Sequence, residues 1–173
     1  MNLGKLFEMQ ETFDARVIAR KRLEGRNLLP EKFLALRTEL GEFANEMPQT
    51  FKFWSNKKND NEKALVEYVD CLHFILSIGL ELQVSIKDLE VATKEFGCVA
   101  RTDVQTINNV FTHVNDLELN VIHNRYTAAC EEYTDLFLRF LLLGTHFDFS
   151  WEQVEESYYE KNAINHVRQA EGY

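Results

Sequence analysis

The chain has 173 residues, of which 45% are apolar, with 13 Phe but only 7 Gly and 2 Pro. That length fits a single domain spanning 1–173, and the scarcity of turn-forming residues favours long helices over many short strands. A formal net charge of −9 excludes a general electrostatic pull on nucleic-acid backbones, so no nucleic-acid partner is expected.

Leu3, Phe7, Gln10, Phe13, Asp14 and Val17 recur at helical spacing and predict a first helix. Gly25 and Pro30 punctuate a loop over Leu23–Pro30. A second helix is expected from about Glu31 to Met47, striped by Leu36, Leu40, Phe43 and Met47. Pro48 ends it, because proline disfavours helix at the residue before it. Residues 49–61 begin aromatic, with Phe51, Phe53 and Trp54, then turn polar, which reads as an ordered turn and an exposed loop. A third helix, about Glu62–Gln83, is apolar on nearly every side and belongs at the centre of a bundle. Ser85 with Asp88 resembles a capping box opening a helix that Gly97 closes. Two further helices are expected over Thr102–Asp116 and Glu118–Leu143, the latter stopping at Gly144. The last begins at Ser150, whose capping partner is Gln153, and runs to about Gln169. The expected fold class is all-α, a helical bundle with a four-helix core.

Cys71, Cys98 and Cys130 have neither metal-ligand spacing nor the density of a disulfide scaffold, which fits reduced thiols and a cytoplasmic location. The N-terminus shows no apolar run behind a basic start, so no signal peptide is expected. The most apolar stretches, Cys71–Leu82 and Leu136–Leu143, are too short to span a bilayer, so no membrane partner is expected.

Chemistry enters with the acids. Glu39 and Glu42 are three residues apart, which places them about 60° apart on one helix face. Glu67 and Asp70 repeat the spacing among Val66, Tyr68, Val69, Cys71 and Leu72. A carboxylate in such surroundings is costly to desolvate unless a cation or strong donors compensate it. If the two helices pack antiparallel, four carboxylates converge and repel one another. A hard divalent cation, Mg2+ or Mn2+, removes that conflict. One E-x-x-E on a helix is common and could be a solvated surface. Two acid pairs, one on a nearly all-apolar helix, point to a metal site.

Glu39-Leu-Gly-Glu42 followed by Glu67-Tyr-Val-Asp70 resembles the E-x-x-E…E-x-x-D signature of the all-α NTP pyrophosphatases, the MazG-like superfamily. Three blocks are similar to the dimeric dUTPase branch: Leu36-Arg-Thr-Glu-Leu-Gly-Glu-Phe-Ala-Asn-Glu46, Phe51-Lys-Phe-Trp-Ser55 and Glu67-Tyr-Val-Asp-Cys-Leu-His-Phe74. So is the ending Tyr159-Glu-Lys-Asn-Ala-Ile-Asn-His-Val-Arg-Gln169 with Gly172-Tyr173. The stretch Cys98–Asn120 matches no pattern. The resemblance implies a homodimer that hydrolyses dUTP, and dUDP, to dUMP with release of pyrophosphate or phosphate. It implies Mg2+ held by Glu39, Glu42, Glu67 and Asp70, with attack at the β-phosphorus. Glu39 is the expected base for the attacking water, with Glu42 the alternative. A phage-encoded member could also bind a repressor protein, and a dCTP- or general NTP-directed enzyme keeps the same metal chemistry with a different base.

The resemblance also assigns the nucleotide contacts. Gln10 lies in the apolar stripe of the first helix, where an amide needs partners. It can donate to uracil O4 and accept from N3–H, and the resemblance implies that it reads the base. Asp14 stands where the family more often has Asn. Phe74 and His73 alone would read as core residues, and Trp54 as a structural anchor; the resemblance places all three beside the nucleotide. Lys161, Asn165 and Arg168 share one stripe of the last helix. They are either a solvated helix end favoured by the helix dipole or a phosphate clamp. The resemblance favours the clamp, with Tyr159 and Asn162 as second-choice members.

Overall fold

The computed structural model describes residues 2–95 and 101–172. Among them are eight helices and no strand: α1 (Leu3–Lys21), α2 (Leu29–Glu46), α3 (Pro48–Phe51), α4 (Asn61–Glu81), α5 (Ile86–Glu95), α6 (Asp103–Ile122), α7 (Tyr126–His146) and α8 (Trp151–Glu171). The all-α expectation holds. Gly97, Cys98 and Tyr173 lie outside the described residues.

Several helix starts follow from caps. Asn2 and Asp60 accept from backbone N–H groups three residues on, at 3.1 and 3.2 Å. Ser150 and Gln153 form the expected reciprocal box, and Thr102 with Gln105 forms another. At Ser85 the Asp88 N–H donates to the hydroxyl, at 3.3 Å. Pro48 both ends α2 and opens the short α3, since proline is tolerated in a first turn.

α4 is the hub, as its lack of a polar side predicts. It packs against α1, α2, α7 and α8, and Ala64, Tyr68, Cys71, Leu72, Ile75, Leu76 and Ile78 are buried all round it. α2 runs antiparallel to it. The Asp60 N–H at the start of α4 donates to the carbonyl of Glu46 at the end of α2 (2.9 Å), while Lys32 near the start of α2 reaches Glu81 at the end of α4 (2.7 Å). The expected stripe Leu36, Leu40, Phe43 and Met47 is wholly buried along that contact.

Two expectations need correction. α6 does not end at Asp116 but runs to Ile122, because Val110, Val114 and Leu117 continue one buried stripe at helical spacing. The chain turns at His123–Arg125, where Asn124 takes a left-handed φ of 55°. Gly144 does not stop α7, which continues to His146. A methyl group at Gly144 would lie 2.6 Å from the Tyr68 hydroxyl, so the glycine makes room for a ring crossing from α4. The Tyr68 hydroxyl donates to the Phe140 carbonyl at 2.9 Å. The reciprocal pair seats Tyr133 of α7 against Gly79 of α4, its hydroxyl donating to the Ile75 carbonyl at 3.0 Å.

Candidate active site

A cleft of about 350 Å³ opens among α1, α2, α4 and α8. Glu39 and Asp70 line one end, with Lys161, Asn165 and Arg168 on the α8 wall. Gln10, Asp14, His73 and Phe74 line the rest, with Phe13, Val17, Ile18 and Leu28 as apolar wall. Nine of the twelve residues singled out in the sequence therefore share one cavity.

At the acid end, oxygens of Glu39, Glu67 and Asp70 lie within 4.8 Å of one another, and all three residues are half-buried. The helical spacing explains it: Glu67 and Asp70 project from one face of α4, and antiparallel α2 brings Glu39 opposite. Desolvation, followed by the charges of Asp70, Glu42 and Glu67, pushes the Glu39 carboxyl up to about 7. Glu67 is raised by desolvation and then by Asp70 and Glu42. Asp70 is raised by desolvation, opposed by the Lys161 hydrogen bond and by the charges of Lys161 and Arg168. Lys161 Nζ donates to Asp70 Oδ2 at 2.5 Å. Glu42 is exposed and stands outside the tight cluster, though its charge is felt by Glu39 and Glu67. A set of crowded carboxylates that resist ionisation suits a hard divalent cation, which supplies the missing positive charge.

At the other end, the Gln10 amide is nearly inaccessible, at 2% exposure. Its Oε1 accepts from the Tyr158 hydroxyl (2.8 Å) and from His73 Nδ1 (2.8 Å), and its Nε2 donates to Asp14 Oδ1 (2.7 Å). An amide oxygen has two lone pairs, and both are taken. Of the donors that Gln10 could turn to a base, one N–H remains without a protein partner. Asp14 Oδ2 accepts from the Ser77 hydroxyl at 2.5 Å and lies 3.5 Å from Lys32 Nζ.

A protein-family model described as dUTPase matches residues 2–173. The chain belongs to the all-α dUTPase family. It is a dUTP diphosphatase, a hydrolase of nucleotide metabolism. No curated protein matches the chain.

In this dUTPase, Trp54 stands apart from the cleft. It is 66% exposed and packs edge-on against Phe51 and Phe53 at ring separations of 6.2 and 4.9 Å. Tyr159 lies under Lys5, whose Nζ is 4.2 Å from the ring centre, and Asn162 is buried; neither lines the cavity. Sequence reasoning missed Lys32, Ser77 and Tyr158 as parts of the dUTPase cleft network. Tyr158 had a signal, since it precedes Lys161 on the same stripe of the last helix. Ser77 also had one, as a hydroxyl on the apolar central helix one turn after His73. No helix among the described residues is long and apolar enough to cross a membrane.

Proposed function

We propose that this dUTPase converts dUTP, and dUDP, to dUMP with Mg2+ (Mn2+ as a substitute) held by Glu39, Glu67 and Asp70, and with Glu42 completing the set. The observation that carries the reading is the convergence of three carboxylates at one end of a cleft whose other end holds a buried amide with one N–H left to offer. When bound, the ion neutralises the phosphate chain and makes water more acidic. Glu39 orients the attacking water and takes its proton, a task suited to a carboxyl held near neutrality. Glu42 is the alternative base. Lys161 and Arg168 bind phosphate oxygens through charge-assisted bonds, with Lys161 exchanging Asp70 for phosphate, and Asn165 adds an amide donor. Phe74 stacks on the base, His73 and Gln10 meet its polar edge, and Trp54 closes over the nucleotide from the exposed loop.

Residues 1–173 act as one domain within a cytoplasmic homodimer. Leu119, Ile122 and Tyr126 support the dimer, each more than half exposed at the turn between α6 and α7, where an apolar surface calls for cover. Leu136, Phe137, Leu138, Phe140 and Leu143 further along α7 are buried in the protomer's own core.

The test is turnover of dUTP, dUDP, dCTP, dTTP and UTP with Mg2+ and with excess EDTA. Hydrolysis of dUTP and dUDP, lost in EDTA, is expected. A preference for dCTP would replace the base assignment, and full activity in EDTA would remove the metal from the mechanism.

A further inference from the structure

Lys161 stands where the acid cluster needs a cation. Its ammonium donates to Asp70 Oδ2 at 2.5 Å, and the two side chains are only 20% and 15% exposed. The bridge crosses from α8 to α4, and the same charge also offsets those of Glu39 and Glu67. Without it, three carboxylates with oxygens within 4.8 Å of one another would face each other with little compensation. The ammonium therefore competes with any divalent ion for one carboxylate. An ion at this cluster would stand close to a like charge, and a short, partly buried ion pair is costly to break unless both partners are paired again. Sliding to Glu39 or Glu67 solves nothing, because both belong to the cluster. The four-carbon stem of lysine lets the ammonium leave without any movement of α8. Asn165 and Arg168 follow Lys161 on one stripe of α8 and line the cleft with it, so a phosphate chain held along that stripe supplies the acceptor that the ammonium lacks.

We propose that Lys161 is a built-in counterion that withholds Asp70 from free divalent ions and yields it when a polyphosphate takes its ammonium. The inference rests on the reading of the acid cluster as the metal site and of the α8 stripe as the phosphate wall. Metal alone has to strand the ammonium. Phosphate alone has to draw it away from acids that then repel the incoming anion. Bound together, each removes the other's cost: the ion replaces the ammonium at Asp70, and the phosphate replaces Asp70 at the ammonium. Linkage makes the effect reciprocal, so metal and nucleotide strengthen each other's binding by one factor. The empty cleft then holds ions weakly and takes them up with the chain they act on.

Binding of Mn2+ followed by electron paramagnetic resonance tests this. The nucleotide is α,β-imido-dUTP, whose α,β bridge resists hydrolysis, and the Mn2+ held by the free analogue is subtracted. Wild type should bind Mn2+ at least about tenfold more tightly with the analogue than without it. Lys161→Met should bind Mn2+ at least about tenfold more tightly than wild type when no nucleotide is present, and the analogue should then add less than it adds to wild type. Lys161→Arg keeps the charge and should not gain. Lys161→Gln serves if Lys161→Met fails to fold. Equal affinity of wild type with and without the analogue overturns the proposal. So does a folded Lys161→Met that binds Mn2+ no better than wild type, or a Lys161→Arg that gains as much as Lys161→Met. Failure of every form to bind Mn2+, with or without nucleotide, removes the metal site of the proposed function and this inference with it, whereas tight binding by nucleotide-free wild type leaves that site standing and removes the inference alone.

Discussion

Replacing Glu39 by Gln should stabilise the metal-free protein at neutral and alkaline pH while abolishing its response to Mg2+. In the folded chain the Glu39 carboxyl is displaced from 4.5 to about 7 by desolvation and by the nearby carboxylates. Below pH 4.5 it is protonated whether the chain is folded or not, and its contribution to stability is intact. As pH rises through about 7 the folded state must accept a charge that it holds less well than water does, and that contribution is lost. The displacement corresponds to roughly 3 kcal/mol by linkage, and solvent screening of a group that is only half-buried reduces this to roughly 1 kcal/mol. For a chain of this length, that is a shift of about 2–4 °C in midpoint. Calorimetric melts in EDTA from pH 4 to pH 8.5 provide the assay. Glu39→Gln should match wild type near pH 4, exceed its Tm by about 2–4 °C at pH 8, and gain nothing from added Mg2+. A variant that melts at or below the wild-type temperature at pH 8, with native helicity, would refute the crowding of the acids.

Asp70→Asn and Glu42→Gln should retain the fold and lose dUTP turnover in Mg2+, as measured by circular dichroism and pyrophosphate release; turnover near the wild-type level would exclude that carboxylate from the metal site. Gln10→Leu should lower kcat/KM for dUTP at least about tenfold, a change of ~1.4 kcal/mol, with Mg2+ affinity unchanged by calorimetry; wild-type kinetics would remove Gln10 from base recognition. Gly79→Ala drives a methyl group into the Tyr133 ring, to within 2.6 Å of Cζ. That overpacking should cost about 1–3 kcal/mol, and a Tm within 1 °C of wild type would show that α4 and α7 can separate freely. Sedimentation at micromolar concentration should give a dimer, and an active monomer would contradict the proposed assembly.

The acid cluster was legible because its placement depends only on helical periodicity and on one pairing of helices. Glu67 and Asp70 share a face of α4 by spacing, and the packing of the two long apolar stripes of α2 and α4 brings Glu39 opposite them. Ser150 and Gln153 were equally plain, since a capping box is local. Lys32 and Ser77 were not, because each acts through Asp14 on another helix, and nothing near either residue in sequence indicates that partner. The same limit explains Gln10: the position of its amide was evident, but the filling of both oxygen lone pairs depends on α4 and α8 arriving together. Gly144 misled for a related reason. A glycine late in a helical pattern usually marks an end, whereas here it answers to the bulk of Tyr68 from a distant segment.

The two tyrosine–glycine seats act as a pair of dowels between α4 and α7. Tyr68 and Gly79 are eleven residues apart, as are Tyr133 and Gly144. Eleven residues come within about 20° of three full helical turns, so both dowels of each helix leave from the same side. One dowel would still allow pivoting; two engaged in opposite directions fix both slide and rotation. Asp70, His73, Phe74 and Ser77 all lie inside the interval so clamped. A residue inserted there would swing one dowel about 100° out of its socket and carry the groups beyond it out of phase with those before it. Residues added to either end of α4 would leave both sockets filled, so length can vary at the ends of this helix but not within that interval.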